Sequence, residues 1–300
     1  MKSLIHLIFT LIPLFSFSQE TVRVFYLGGQ SNMDGYGYNK DLPDSLSGSF
    51  DNVWIFHGNL AGDGEPNGGK GIWEPLKPGH GVGFASDGKS NQLSDRFGPE
   101  LGFAKRMQAL YPGEKIALIK YSKGGTSIDS LGAGPFGSWE PDFRGKDGIN
   151  QYDHFLATIR NATQVQDIDG DGVNDLLVPS GILWMQGESD GDKTEAMANR
   201  YYANLKRLMD LVRAALRVDD LPVVIGKISD SWNDEDGKVW DYGELVQYAQ
   251  EKYARSDGNA AIVRNTRYYG YSDPYHYKSE NYIDLGKAFA DALYQINGDQ

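Results

Sequence analysis

Ser31 is the first residue whose type and position suggest chemistry. It follows two glycines in the segment 28–33 (GGQSNM). Paired glycines permit a sharp turn, and the dipole of a helix that begins there stabilises negative charge developing beside the serine. This arrangement is typical of a nucleophile for acyl transfer. A serine that only caps a helix has the same local pattern, so the segment alone leaves both interpretations open.

A serine nucleophile needs a general base, and the candidates are the four histidines beyond residue 18. His276 has Asp273 three residues before it in 272–276 (SDPYH), and in a turn that spacing brings a carboxylate beside the imidazole. An ordinary turn with an exposed histidine is the alternative. His154 falls in a predicted helix, 152–163, as a surface or capping residue. His57 and His80 lie in a glycine-rich loop and remain possible bases.

Two further segments carry groups that could stabilise an oxyanion. Gly124 and Gly125 occur in 121–127 (YSKGGTS), where backbone N–H groups can turn inward. Gln186 occurs in 184–190 (WMQGESD), and its amide can donate to the same point. Each segment also has an ordinary loop interpretation, so the hypothesis depends on their occurring together.

Short β-rich runs alternate with amphipathic helical stripes, which predicts an α/β fold with a parallel sheet covered on both faces. We predict a three-layer α/β/α sandwich around a mainly parallel sheet of five or six strands. The predicted strands are 22–27, 53–56, 115–121, 181–185, 222–228 and 260–264, and the helical stripes are 103–111, 201–216 and 282–296. Ligands bind at the carboxyl ends of such strands, and all four candidate segments follow strands.

These segments resemble the SGNH hydrolases, and within them the carbohydrate-esterase branch of sialate O-acetylesterase-like and acetylxylan esterase-like proteins. The resemblance rests on 29–33 (GQSNM), 124–128 (GGTSI), 184–188 (WMQGE) and 273–276 (DPYH), and it runs from about Val22 to Tyr294. It implies a flavodoxin-like fold. Met185 replaces a histidine or other polar residue of many relatives, and a long loop, 57–97, is inserted. These departures leave the substrate open.

Carried over by position, the resemblance implies a serine mechanism. Ser31 would be the nucleophile, His276 the base and Asp273 the group that orients the base. The implied oxyanion donors are the backbone N–H of Ser31, a backbone N–H of Gly124 or Gly125, and the side chain of Gln186. The residues implied to brace these loops by hydrogen bonds are Gln30, Asn32 and Glu188.

Three aromatic residues are candidates for contacts with a sugar. Trp73 lies in the 57–97 loop, Trp139 follows the glycines at 124–125, and Tyr275 precedes His276. Both tryptophans are predicted in loops that leave strand ends, where an aromatic face could pack on a sugar ring. The alternative is that they only pin their loops to the core.

The run 167–175 (DIDGDGVND) resembles the start of a calcium-binding loop. Asp167, Asp169, Asp171 and Asp175 supply carboxylates at positions 1, 3, 5 and 9, but no glutamate stands at position 12. We predict a structural Ca²⁺, since clustered carboxylates repel one another without a cation. A solvated acidic turn is the alternative. The run precedes the amino end of a strand, away from the predicted active edge.

Composition excludes several classes of function. The chain has 29 basic and 41 acidic residues, a net charge of −12, and no basic run, which argues against nucleic-acid binding. It has no cysteine, so disulfides, zinc–thiolate sites and thiol catalysis are excluded. With 40% hydrophobic residues it can bury a substantial core.

Residues 1–18 are predicted to be a cleavable signal peptide. Lys2 precedes an apolar run, 4–17, that is short for a membrane span, and Ser16 and Ser18 suit the residues before a cleavage site. We therefore predict a secreted or periplasmic protein with one domain, 19–300, and no membrane span after cleavage.

The predicted function is that of an exported serine esterase that removes O-acetyl groups from a carbohydrate, with no cofactor for catalysis. The sugar is left open between sialate and plant or algal polysaccharides, and the oligomeric state is open too. One alternative is a calcium-dependent carbohydrate-binding module without catalysis. Another is a lipase or thioesterase on the same fold, although loops rich in Gly, Asn, Asp and Tyr do not favour a lipase.

Overall fold

The computed structural model describes residues 20–146, 148–235 and 237–298, so the predicted signal peptide, 1–18, lies outside the described residues. The helices α1 to α7 are Ser31–Asp34, Glu100–Leu110, Gln151–Gln164, Glu188–Asp192, Glu195–Leu216, Gly243–Ser256 and Ser279–Gly298. The strands β1 to β11 are Thr21–Gly29, Gly37–Tyr38, Val53–His57, Trp73–Pro75, Ala85–Ser86, Asn91–Gln92, Arg96–Phe97, Lys115–Ser122, Leu176–Met185, Val223–Gly226 and Ala260–Val263.

Seven strands form the central sheet in the order β11-β10-β9-β1-β8-β3-β4. Every neighbouring pair is parallel except β3 and β4, which are antiparallel. Helices α2 and α7 pack together on one face, and α3, α5 and α6 cover the other. The predicted three-layer α/β/α fold is confirmed.

The core lies on both faces of the strands. The interior of β8 is entirely buried from Ile116 to Ser122, and β1 is almost entirely buried from Val22 to Gly29. Strands that are buried on both faces have nearly continuous apolar sequences, and the sequences of β1 and β8 show this pattern. On the helix side, α5 buries a stripe that includes Tyr201, Leu205 and Leu208.

The register of the central strands brings the candidate segments to one level. Gly29, the last residue of β1, pairs with Ser122 at the end of β8 and with Met185 at the end of β9. Ser31, Gly124 and Gln186 therefore begin from the same edge of the sheet.

All six predicted strands occur in the central sheet, and β9 begins five residues earlier than predicted. The seventh strand, Trp73–Pro75, falls in what was predicted as a loop, 57–97. That segment also holds β5 and β6, which pair with each other, and β7, which pairs with β2. Strands of two or three residues are too short to show the alternation by which a strand is recognised.

Candidate functional site

The turn before Ser31 requires glycine at position 29. Gly29 has φ 144°, and a Cβ there would overlap the backbone carbonyl of Met185. The neighbouring Gln30 N–H donates to that same carbonyl, at 2.8 Å. The chain thus turns tightly against β9, and Ser31 becomes the first residue of α1, nearly buried at the carboxyl edge of the sheet.

Asp273 holds His276 in a rigid loop. One carboxylate oxygen, Oδ2, lies 2.8 Å from Nδ1 of His276. The other, Oδ1, accepts the backbone N–H groups of Tyr275 and His276, both at 2.8 Å. The ring of Tyr36 stacks on the imidazole with centroids 3.5 Å apart and planes 6° apart. Nδ1 is therefore held by Asp273, which leaves Nε2 as the nitrogen that can accept a proton.

Burial and hydrogen bonding act in opposite directions on this pair. Burial lowers the pKa of His276 more than its hydrogen bond to Asp273 raises it, so the pKa lies below the ordinary histidine value. For Asp273, burial raises the pKa, but the bonds from His276 and two backbone N–H groups outweigh it and the pKa is lowered. A neutral imidazole beside an ionised carboxylate is the state that a general base needs.

Ser31 and His276 line the same cavity, which has a volume of about 460 Å³. Gly124, Gly125 and Phe136 also line it. Other lining residues include Gln30, Asp34, Tyr36, Lys123, Ser189, Trp240 and Tyr275. We call this cavity the Ser31 cleft. It brings a candidate nucleophile, a candidate base and two glycines with backbone N–H groups into one space.

The two glycines differ in what their N–H groups can do. A Cβ at position 124 would lie 3.2 Å from the Cβ of Ser31, so glycine lets this loop approach closely. The Gly124 N–H, however, donates to the carboxyl group of Asp34. Gly125 has φ 75°, a conformation that favours glycine. The N–H groups of Ser31 and Gly125 are therefore the better candidates for an oxyanion hole.

Gln186 does not reach the cleft, which corrects the prediction that its side chain donates to an oxyanion. It is fully buried, with 0% exposure. Its amide nitrogen donates to Oδ2 of Asp190 at 2.7 Å and to the carbonyl of Thr126 at 3.1 Å. Its amide oxygen accepts the hydroxyl of Tyr201 at 3.0 Å. An amide with two hydrogens already bound to two acceptors cannot also bind an oxyanion, so Gln186 braces the loop after β9.

The predicted supporting residues join the nucleophile turn to two other loops. Asn32 donates to Oε1 of Glu188 at 2.9 Å and to the carbonyl of Tyr275 at 3.2 Å, and its oxygen accepts the hydroxyl of Tyr282 at 2.8 Å. The Gln30 amide lies 3.3 Å from the backbone N–H groups of residues 187 and 189. Burial raises the pKa of Glu188 to about 7.

The other three candidate histidines lie outside the Ser31 cleft. His57 and His80 are buried beside the ring of Phe84, and burial lowers the pKa of His57 and that of His80, the latter to about 3. His154 is buried against Tyr121 and not on the surface as predicted, with Nε2 3.2 Å from a carboxylate oxygen of Asp63. Among these four histidines, His276 is thus the one that lines the Ser31 cleft.

Neither predicted tryptophan can contact a substrate in this cleft. Trp139 has 0% exposure and donates to Thr126 Oγ1 at 3.0 Å, so its prediction as a cleft wall is wrong. Trp73 lies in β4, contacts Phe56 edge-on and donates to the carbonyl of Ala162 in α3, which ties the sheet edge to that helix. Tyr275 does line the cleft.

Three of the four predicted calcium ligands converge. Carboxylate oxygens of Asp167, Asp169 and Asp175 lie within 4.8 Å of one another. Asp171 lies outside this cluster, and its carboxylate accepts the backbone N–H of residue 173 at 2.7 Å. The ammonium of Lys115 lies 2.5 Å from Asp169 and 3.8 Å from Asp175. Carboxylates in this arrangement suit a hard cation such as Ca²⁺, with Lys115 offsetting one of the three charges.

Sequence reasoning missed several residues of the site. Trp240 and Phe136 line the cleft, and Asp190 holds the loop after β8 by accepting the N–H groups of residues 128 and 129 at 2.9 and 3.0 Å. Burial raises the pKa of Asp190 to about 6. Trp240 follows the predicted strand 222–228, so the rule that ligands bind after strand ends could have found it.

The sheet and its cleft define a class, that of the three-layer ester hydrolases. The chain matches the family described as carbohydrate esterase, sialic acid-specific acetylesterase, over residues 21–295. It therefore belongs to this family of carbohydrate esterases. Comparison with curated proteins returned no match.

Solved structures agree in fold. The chain is similar to a protein from Arabidopsis thaliana, with 20% identity, a TM-score of 0.62 and coverage of 91% of this chain and 98% of that one. It is similar to NanS, with 16% identity, a TM-score of 0.60 and coverage of 95% and 100%. A carbohydrate acetylesterase from Xanthomonas citri has 16% identity, a TM-score of 0.58 and coverage of 93% and 57%.

Within residues 20–146, 148–235 and 237–298, no helix combines the length and apolar character needed to cross a membrane.

Proposed function

We propose that this protein is an exported serine esterase that removes O-acetyl groups from a carbohydrate through an acetyl-enzyme. Ser31 and an imidazole held by Asp273 line a single cleft, and the chain belongs to a carbohydrate esterase family.

In the first half of the reaction, His276 Nε2 takes the proton of the Ser31 hydroxyl as the serine oxygen bonds to the ester carbonyl carbon. The carbonyl oxygen becomes an oxyanion and accepts the N–H groups of Ser31 and Gly125. When the intermediate collapses, the bond to the sugar oxygen breaks and His276 gives its proton to that oxygen. The deacetylated sugar leaves, and the acetyl group stays on Ser31.

In the second half, His276 takes a proton from water as the water oxygen bonds to the acetyl carbon. The acyl bond then breaks, the proton returns to Ser31, and acetate leaves. Asp273 stabilises the imidazolium that forms in each half. The lowered pKa of His276 supports this cycle, because the imidazole begins each half neutral near pH 7.

The proposed substrate is an acetylated carbohydrate. The family description names sialic acid, and the relative from Xanthomonas citri is named a carbohydrate acetylesterase. In the Ser31 cleft, Trp240 and Tyr275 supply aromatic surface, and Asp192 and Lys193 supply polar groups. Aromatic faces beside a few polar groups are what a sugar ring needs, since it has apolar faces and a rim of hydroxyls.

We propose that the protein is exported and that residues 1–18 are removed as a signal peptide. Removal of residues 1–18 would leave the described fold complete, because β1 begins at Thr21. N-terminal sequencing of protein recovered from a secreting host is expected to begin at residue 19. A mature protein that still carries Met1 would contradict it.

The nucleophile is tested with Ser31→Ala and a matched control, Ser189→Ala, since Ser189 lines the same cleft. Ser31→Ala should lower kcat on p-nitrophenyl acetate by several orders of magnitude with an unchanged Tm, and Ser189→Ala should keep most of kcat. A fluorophosphonate should label wild-type protein at Ser31, located by mass spectrometry of its peptides. Activity or labelling that survives Ser31→Ala would place the nucleophile elsewhere. No activity in the wild type would favour the binding-module alternative.

A further inference from the structure

An aromatic row leads outward from the Ser31 cleft. Tyr275, beside His276, is 48% exposed, and its ring centroid lies 5.7 Å from that of Trp240. Trp240 lines both the Ser31 cleft and a neighbouring cavity of about 360 Å³. Trp232 lines that second cavity and is 61% exposed. Aromatic residues therefore line both cavities, from Tyr275 beside the candidate catalytic histidine, through the largely buried Trp240, to the exposed indole of Trp232.

The loop that carries Trp232 is held in place by its own polar side chains. The Asp230 carboxylate accepts the backbone N–H groups of Trp232 at 2.7 Å and of Trp240 at 2.9 Å. The Ser231 hydroxyl donates to the carbonyl of Pro274 at 2.8 Å, which ties this loop to the segment that holds His276. The position of Trp232 is therefore coupled to that of the cleft.

Trp232 has a backbone conformation that bulky residues rarely adopt. Its φ is 57°, in the left-handed region, where a large side chain is strained. The indole gains little burial in return, since most of it faces solvent and its cation contact is Lys238, 5.7 Å from the ring. Packing in the core does not explain a strained and exposed tryptophan, whereas contact with a ligand does.

The second cavity supplies the polar groups that such a ligand would need. Its lining includes polar residues from the segment after β10, from α6 and from the segment after β11, namely Lys227, Asp230, Glu244, Gln247, Arg264 and Thr266. An aromatic face with polar groups around it suits a sugar ring, because the C–H face packs on the indole while the hydroxyls bond to the rim.

We propose that Trp232, with Trp240 and Tyr275, binds a second sugar residue of an acetylated oligo- or polysaccharide whose acetylated residue lies at Ser31. The inference rests on the proposed esterase function and names its substrate as a chain and not a single sugar. Binding energy from the remote residue would then act on the reacting ester, as it does in enzymes that use distal substrate contacts.

The test compares substrates of two lengths. The wild type, Trp232→Ala and a control, Tyr294→Ala, are assayed on p-nitrophenyl acetate and on chemically O-acetylated mono- and tetrasaccharides of xylose, glucose and mannose. Tyr294 is a matched control because it is also exposed, at 42%, and packs on Tyr111, away from both cavities. Trp232→Ala should lower kcat/KM about tenfold on the preferred tetrasaccharide, the effect of losing one packed aromatic face. It should leave the monosaccharide and p-nitrophenyl acetate unchanged, and Tyr294→Ala should change none of them.

Several outcomes would overturn the inference. Equal kcat/KM of wild type and Trp232→Ala on every tetrasaccharide would remove the second sugar site while leaving the esterase function standing. An equal loss on p-nitrophenyl acetate would show that Trp232 supports the loop and not the substrate. A smaller particle for Trp232→Ala in light scattering would show that the indole contacts a second copy of the chain. Failure of the wild type on all of these sugars and on O-acetylated sialic acid would overturn the proposed function itself.

Discussion

Asp273→Asn tests the catalytic role of the Asp273–His276 pair with little change to the fold. In the native loop, Oδ1 of Asp273 accepts two backbone N–H groups and Oδ2 faces Nδ1 of His276. An asparagine can keep its oxygen on the two N–H groups, which places its NH₂ against Nδ1. Nδ1 must then be the acceptor, so Nε2 carries the proton and cannot take one from Ser31.

The size of the effect follows from the lost charge. Two unit charges about 4 Å apart attract by about 4 kcal/mol at an effective dielectric constant of about 20. The Asp273 side chain is 42% exposed, and screening by solvent reduces this attraction to about 2 to 3 kcal/mol. Losing that much stabilisation of the imidazolium in the transition state lowers kcat roughly 30- to 200-fold. The unfavourable tautomer adds to the loss.

The assay is kcat on p-nitrophenyl acetate between about pH 5 and 8, with Tm measured in parallel. Activity of the wild type should rise with pH through an inflection below the ordinary histidine value of about 6.5, since burial lowers the pKa of His276 and its neutral form is active. Asp273 raises that pKa, so any activity left in Asp273→Asn should have its inflection at lower pH.

Asp63→Asn is the matched control, because Asp63 contacts His154 outside the cleft. It should leave kcat and the pH profile unchanged. If Asp273→Asn keeps more than a third of kcat with the same inflection, the carboxylate does not act on the base and the pairing is only a feature of the turn. If Asp63→Asn causes the larger loss, the catalytic histidine has been misassigned.

Three further predictions follow from the buried and clustered carboxylates. Gln186→Ala should lower both Tm and kcat because Asp190 and Tyr201 each lose one buried hydrogen bond. A hundredfold loss of kcat at unchanged Tm would instead restore Gln186 as a direct oxyanion donor. Glu188 has a pKa raised from 4.5 to about 7, so its contribution to the free energy of unfolding is present below pH 4.5 and is lost as pH rises to about 7. In the wild type this loss is at most about 3 kcal/mol. Glu188→Gln should make the free energy of unfolding fall less between pH 5 and 8, measured by urea titration. EDTA should lower Tm and Ca²⁺ should restore it, because a bound ion adds up to about 3 kcal/mol to the free energy of unfolding near saturation. Asp167→Asn should abolish that response, and an unchanged Tm in EDTA would end the calcium hypothesis.

Much of the fold was predictable because its strands are buried on both faces. The runs at 115–121 and 222–228 are mostly apolar, with Lys115, Lys120 and Lys227 as the exceptions. Such nearly continuous apolar runs are typical of parallel strands. Strand β4, Trp73–Pro75, was not predictable, because three residues at an antiparallel edge have no periodicity to detect. The helix α6, Gly243–Ser256, was missed although its stripe is amphipathic.

The site was predictable where chemistry depends on near neighbours in sequence. Asp273 and His276 lie three residues apart, and the adjacent glycines 28 and 29 indicate the turn before Ser31. The predictions that Trp139 and Gln186 face the cleft were wrong. A position just after a strand places a residue at the carboxyl edge of the sheet, but it does not determine where the side chain points. Both are buried; Trp139 bonds to Thr126, and Gln186 bonds to Thr126 and Asp190.

Three buried carboxyl groups behind the nucleophile turn explain how loops from different strands keep their positions. Glu188 bonds to Asn32, Asp190 accepts the N–H groups of residues 128 and 129, and Asp34 accepts that of Gly124. Burial raises the pKa of Glu188 to about 7 and those of Asp34 and Asp190 to about 6, so ionisation near neutral pH destabilises the fold. Apolar side chains would avoid that cost, but none could accept an N–H group from the loop that presents Gly125. The loop that we propose as part of the oxyanion hole is therefore held by groups that lower stability, as expected where activity and stability compete.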